Sequence, residues 1–228
     1  MIFCPSKGRA KRVLTSKLIP SLKLCVPENE VAEYRKHNPS QEIIPVPDEV
    51  QGIAATRNWM TKSLPPFLFM LDDDITALKR AYIGIRGEAK VTDEDTILQI
   101  IKNLTNSALE CNCRLWGFGE NPKPSAYDPM RPIRMAGYVS AHAIGVMADD
   151  KLKFRIDGQE GFWMSGLNAH YYRKAWIDTR FCFQRVHSHK DKSNQWGKLA
   201  GAFGKDVIRK QTQLYATDTK PYTMCIPL

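Results

Sequence analysis

The apolar run Pro66-Phe67-Leu68-Phe69-Met70-Leu71 ends abruptly in three consecutive carboxylates, Asp72-Asp73-Asp74. A run of this kind reads as a buried strand. Three carboxylates at its exit repel one another and lose hydration, so the fold has to supply positive charge there. Hard oxygen ligands gather around Mg2+ or Mn2+, and an ion held by few protein ligands keeps positions open for a substrate phosphate. The competing reading is a solvated acidic turn. The apolar strand directly ahead of the triplet favours the metal site.

The segments around this strand alternate. Met1–Pro5 reads as a first strand, followed by the basic turn Ser6-Lys7-Gly8-Arg9. Leu22–Val26 is a second strand, and Pro27 then opens a helix over Glu28–His37, with acids in its first turn and Arg35-Lys36-His37 in its last, as the helix dipole prefers. Glu42–Val46 is a third strand, Gln51–Ser63 a helix, and Phe67–Leu71 the fourth strand. Strands and helices in this order predict an α/β fold with a mostly parallel central sheet flanked by helices. Further on, Ile97, Ile100, Ile101, Leu104 and Ala108 make one stripe of a helix over 92–110, with Thr92 as the expected N-cap. Arg114–Gly119 reads as a strand and Asn121–Pro132, with four prolines, as a surface loop. Met135–Met147, which carries Gly137 and Gly145, suggests strands in close backbone approach. Trp116, Trp163 and Trp176 are expected in the core.

The 228 residues suit one domain, divided into a half over 1–80, a second half over 81–190 and a basic C-terminal segment over 191–228. No stretch approaches the roughly 20 apolar residues of a membrane span, and Met1–Lys7 lacks a long apolar leader, so a cytoplasmic protein without a membrane partner is expected. The six cysteines form no spaced framework and are read as reduced thiols. Net charge is +9 and segregated: residues 1–23 carry six Lys or Arg and no acid, and residues 180–228 carry nine basic against three acidic residues. Segregated positive charge suits a polyanionic partner such as nucleic acid. Trp196, among Lys190, Lys192 and Lys198, has the composition of a base-stacking site beside phosphate-binding lysines.

A strand ending in Pro-Ser-Lys-Gly-Arg, three βα units and then hydrophobic-Asp-Asp-Asp together resemble the GT-A nucleotide-sugar glycosyltransferases. Gly52-Ile53-Ala54-Ala55-Thr56-Arg57-Asn58 looks like the segment that precedes the Asp-x-Asp strand of that fold, and Asp157-Gly158-Gln159-Glu160-Gly161-Phe162-Trp163 like its acidic motif beneath the acceptor site. Within the superfamily the chain looks like the TET-associated glycosyltransferases, phage-linked enzymes thought to add sugars to hydroxymethylated pyrimidines in DNA. The resemblance covers about residues 1–190.

It implies a GT-A-like domain with a smaller C-terminal acceptor-side portion, a UDP-sugar or other nucleotide-diphosphate sugar as donor, Mn2+ or Mg2+ as cofactor, and double-stranded DNA as acceptor, inside a bacterial host if phage-encoded. Asp72 would approach the ribose or the metal, Asp74 would coordinate the ion, and Asp73 fits either role. Ser6, Lys7 and Arg9 lie where open α/β sheets bind ligands and would contact the nucleotide or its diphosphate, as would Arg57. Glu160 would take the acceptor proton. The family has a Glu-Asp pair where this chain has Gln159-Glu160, so Asp157 stays open as the alternative base. His187 and His189 lie where several GT-A families place a histidine on the metal; one residue apart on a strand they point oppositely, so at most one is a ligand.

Asp72-Asp73-Asp74-Ile75-Thr76 also fits Asp-x-Asp-x-Thr, the nucleophile motif of haloacid-dehalogenase-like phosphatases. That motif normally follows the first strand, and here three βα units precede it. Further alternatives are transfer to a protein or glycan acceptor, a GT-A-like nucleotidyltransferase, and a non-catalytic DNA-binding module, which would leave the buried triplet without a purpose.

Overall fold

The computed structural model describes residues 1–84, 89–155, 157 and 159–186, together with the backbone of two short strands at 213–215 and 223–225. In chain order the elements are β1 (Ile2–Pro5), α1 (Thr15–Leu18), β2 (Lys23–Pro27), α2 (Val31–His37), β3 (Glu42–Val46), α3 (Ile53–Ser63) and β4 (Phe67–Leu71). The triplet then leads into β5 (Ile75–Arg80), β6 (Lys90–Val91), α4 (Glu94–Glu110), β7 (Leu115–Phe118), β8 (Ile133–Arg134), β9 (Ala143–Met147), α5 (Glu160–Tyr171), β10 (Trp176–Asp178) and β11 (Phe181–Arg185).

Eight strands form one sheet in the order β3-β2-β1-β4-β9-β7-β10-β8. Only β9 and β8 run against the rest, since every other contact is parallel or bridges across β9. The carboxyl ends of β1, β2, β3, β4, β7 and β10 therefore share one edge, which is where ligands reach such sheets. A second sheet, β11-β5-β6, grows directly out of the triplet.

Strand alternation divides the core into two layers. Phe69 and Leu71 of β4 pack with Ile2 and Cys4 of β1 and with Ile97, Ile101 and Leu104 of α4. Leu68 and Met70 point the other way, with Phe3, onto Met60 of α3 and Trp163, Met164 and Leu167 of α5. Burying each of the larger apolar side chains contributes about 1.5–3 kcal/mol. Trp116 and Trp163 are core residues, and Trp176 is packed against the core.

Three local expectations are corrected. The long helix is capped by Asp93 rather than Thr92: its carboxylate accepts the Thr96 N–H at 2.8 Å, and the helix begins at Glu94. The segment after Pro27 first makes a 3-10 turn, Glu28–Glu30, and becomes α-helical only from Val31. Residues 135–142 are not strands. Their backbone leaves the sheet to lie against α5, where Val139 N donates to Ser165 Oγ at 2.9 Å. A Cβ on Gly161 would come within 2.9 Å of Ala141 N and Val139 O, so this contact requires glycine.

No helix among the described residues is long and apolar enough to cross a membrane. His187, His189, Lys190, Lys192, Trp196 and Lys198 lie outside the described residues.

Candidate active site

A cavity of about 410 Å³ opens at the carboxyl ends of β1 and β4, and Ser6, Lys7, Arg9, Arg57, all three residues of the triplet and Glu160 line it. The backbone of the triplet is held from three sides. Asp72 N donates to His142 O at 3.0 Å, Leu14 N donates to Asp73 O at 2.8 Å, and Val186 N donates to Asp74 O at 3.1 Å. Thr15 Oγ1 adds a bond to Asp72 O at 2.5 Å and accepts from Ile75 N at 3.0 Å. Such clamping fixes side-chain directions before any ligand arrives.

The three carboxylates then diverge. Asp73 is buried, with one oxygen accepting from Ser6 Oγ at 2.5 Å and the other from Arg9 Nη1 at 2.6 Å. It braces the β1 loop against the β4 exit, and its charge holds the Arg9 guanidinium above its usual range. Ser6 Oγ also lies 2.7 Å from Tyr34 Oη, which accepts from Arg9 N at 3.1 Å. Lys7 donates to Gln51 Oε1 at 2.8 Å at the exposed rim.

Asp72 turns to α3, where it accepts from Arg57 Nη2 at 2.7 Å. Asp74 differs from both: its Oδ1 is buried with no hydrogen-bond partner. Burial, and next the charge of Asp72, push its carboxyl up to about 6. A desolvated carboxylate on a residue that lines the cavity fits a cation. Among the described residues no three His, Cys, Asp or Glu side chains converge into a complete cage. Mg2+ commonly takes only one or two carboxylates and completes its shell with water and substrate phosphate, so Asp74, with Asp72 beside it, fits that role.

Arg57 is 2% exposed and does not stand on the surface of its helix. Nη2 bonds Asp72 and, at 3.0 Å, Ala141 O, while Nη1 lies 3.7 Å from Glu160 Oε1. It is a buried bridge between the triplet and Glu160, the first residue of α5. Glu160 is itself buried and faces the cavity.

Asp157 is engaged elsewhere. Its Oδ1 accepts the Ala54 N–H at 2.8 Å, in the first turn of α3. Gly52 makes room for it: at φ 90°, an added Cβ would sit 2.5 Å from Asp157 Oδ2. Gly52→Ala is expected to cost about 1 kcal/mol or more, from strain and loss of this contact. A chemical denaturation series on the purified variant measures it, and an unchanged midpoint would contradict the assignment.

Two lining residues were missed from sequence. Arg185, on β11, reaches the site because β11 pairs antiparallel with β5, with a register shift between Gln184 and Arg185. Its Nη1 lies 3.6 Å from Asp72 Oδ2. The only local signal was the alternation Phe181-Cys182-Phe183 that marks its strand. His142 is buried, with Nδ1 2.6 Å from Ser140 Oγ, and burial pushes it down to about 4, so it is a neutral wall. No motif distinguished it.

Solved structures share this architecture. A mannosyltransferase from Pyrobaculum calidifontis, in complex with GDP-Man and Mn2+, matches at TM-score 0.56 and 11% identity over 90% of this chain and 62% of that one. Glucosyl-3-phosphoglycerate synthase from Mycobacterium tuberculosis, with Mn2+, UDP and phosphoglyceric acid, matches at 0.54 and 10% over 100% and 86%. TarS 1-349 from S. aureus matches at 0.50 and 10% over 90% of this chain, which spans 65% of that fragment. No curated protein sequence matches. At these identities the likeness defines the fold, which is that of the GT-A glycosyltransferases. The family model for TET-Associated Glycosyltransferase matches residues 1–157, and the chain belongs to that family.

Proposed function

We propose that the cavity binds a nucleotide-diphosphate sugar and that the protein transfers the sugar to a hydroxymethylated pyrimidine in DNA. The observation that carries the first half is the buried, unpartnered oxygen of Asp74, a residue that lines the same cavity as Glu160. A divalent ion at Asp74 and Asp72 would neutralise charge on the departing diphosphate. Ser6, Lys7 and Arg9 would border the nucleotide, with Asp73 keeping Arg9 in place. Glu160 would take the proton from the acceptor hydroxyl. The freed oxygen bonds to the anomeric carbon as the bond from that carbon to the diphosphate breaks, and the nucleoside diphosphate leaves. Arg185, beside Asp72 and part of the cavity wall, is suited to the developing phosphate charge.

The DNA half rests on the family description and on the basic ends of the chain. The test is incubation of the protein with Mn2+ and UDP- and GDP-sugars against hydroxymethylated duplex, unmodified duplex, protein and glycan acceptors, and in parallel with a simple phosphomonoester, the DNA being digested to nucleosides and all products read by mass spectrometry. A hexose-sized mass gain confined to the hydroxymethylated base is expected. Transfer to protein or glycan with none to DNA would replace the acceptor, and phosphate release from simple monoesters without sugar transfer would overturn the reading.

A further inference from the structure

In the half over 81–190, the same sheet edge carries a second feature. An aromatic ladder climbs out of the core at the carboxyl ends of β7 and β10. Buried Phe118 meets Phe181 edge-on at 6.3 Å, Phe181 meets Tyr82 at 6.1 Å, and Tyr82 lies 6.1 Å from Tyr127. Tyr82, between Phe181 and the last ring Tyr127, is 47% exposed. Its neighbour Ala81 donates its N–H to Arg180 O at 2.7 Å, which ties the tyrosine loop to the β10–β11 turn. The ladder is therefore anchored in the core at one end and open to solvent at the other.

Arginines stand on the strands and turns beside it. Arg180 lies over the Phe181 ring at 5.8 Å and is held by two bonds to buried Asp178, at 3.0 and 2.7 Å, with about half its side chain still exposed. Thr179 Oγ1 donates to Arg131 O at 3.2 Å and to Pro132 O at 2.9 Å, bringing the exposed Arg131 to the same turn. Exposed Arg134 pairs with Ile177. Tyrosine rings beside arginines suit a ligand with flat faces and a phosphate backbone: unpaired bases stack on the rings and phosphates meet the guanidinium groups. The +9 charge of the chain favours the same partner.

We propose that the Tyr82–Tyr127 platform, with Arg180 and Arg131, binds the nucleotides that flank the acceptor base of a nucleic acid. This rests on the DNA reading above and gives that acceptor a path. Between β4 at the cavity and β10 at the platform lie three strand spacings, roughly 14 Å. At ~3.4 Å per nucleotide, that is about four nucleotides from the reacting base.

The experiment is fluorescence anisotropy of a labelled oligonucleotide, single-stranded and duplex, against the full chain, with UDP binding in Mn2+ measured in parallel. Tyr82→Ala is expected to weaken oligonucleotide binding about tenfold or more and Tyr82→Trp to retain it; neither changes UDP binding, and the lost ring contacts lower the melting temperature of Tyr82→Ala by only a few degrees. Oligonucleotide binding by Tyr82→Ala equal to that of the parent overturns the platform, as does the absence of binding by the parent or its displacement by a neutral oligosaccharide. If the parent binds oligonucleotide but no nucleotide or nucleotide sugar, the transfer reading falls and the platform stands.

Discussion

Asp74→Asn is expected to abolish sugar transfer while leaving the fold at least as stable as before. Asparagine keeps the shape of the side chain and removes its charge. The loss of rate should be roughly 100-fold or more, since a charge that supports the leaving group acts mainly in the transition state. The stability side follows from the ionisation of Asp74. Its carboxyl is pushed up to about 6, first by burial and then by Asp72. A raised folded-state value means that the protonated form is favoured by folding. That contribution is complete below the ordinary value near 3.8 and is lost as pH rises through about 6. At neutral pH the ion-free protein therefore carries an unfavourable charge, and asparagine removes it. Thermal melts in chelator at pH 7.5 should give an equal or higher midpoint for the variant. A clear fall would mean that Asp74 supports the fold instead of the chemistry.

Arg57→Met should be damaging in the opposite way, losing both stability and activity. The variant leaves Asp72 and buried Glu160 without the guanidinium that lies between them. Removing one partner of a buried ion pair costs on the order of 3 kcal/mol, which for a domain of this size lowers the melting temperature by about 6–12 °C. Arg57→Lys should recover only part of this, because one ammonium lacks the planar fork that reaches Asp72, Ala141 O and Glu160 together. Adding Glu160→Gln to Arg57→Met should restore some stability, by removing a stranded charge, and no activity. A single variant that melts like the parent would contradict the bridge.

The half over 1–80 was the more legible in sequence, for a physical reason. β1 and β4 fall within the segments read from apolar runs, because strands in the middle of a sheet covered on both faces are apolar nearly throughout. Asp72-Asp73-Asp74 was visible because a charged cluster directly after such a run has few explanations. What the three carboxylates do individually was not visible. Asp73 is engaged by residues more than sixty positions away, and Asp72 by a helix arginine whose inward direction no periodicity marks. Arg185 reaches the cavity through strand pairing across about a hundred residues. Tyr82 reaches its platform through ring contacts with Tyr127 and Phe181, which only the tertiary fold creates. At the helix N-terminus the choice between Thr92 and Asp93 was decided by which side chain reaches the Thr96 N–H.

Isothermal titration of UDP and GDP, with and without Mn2+, into the parent and Asp74→Asn decides whether Asp74 couples the ion to the nucleotide. At least one nucleotide is expected to bind the parent in Mn2+, chelation to weaken this binding strongly, and the variant to bind weakly in both conditions. Equal binding by parent and variant, or binding indifferent to Mn2+, would contradict the assignment of Asp74 as the residue that joins the ion to the nucleotide.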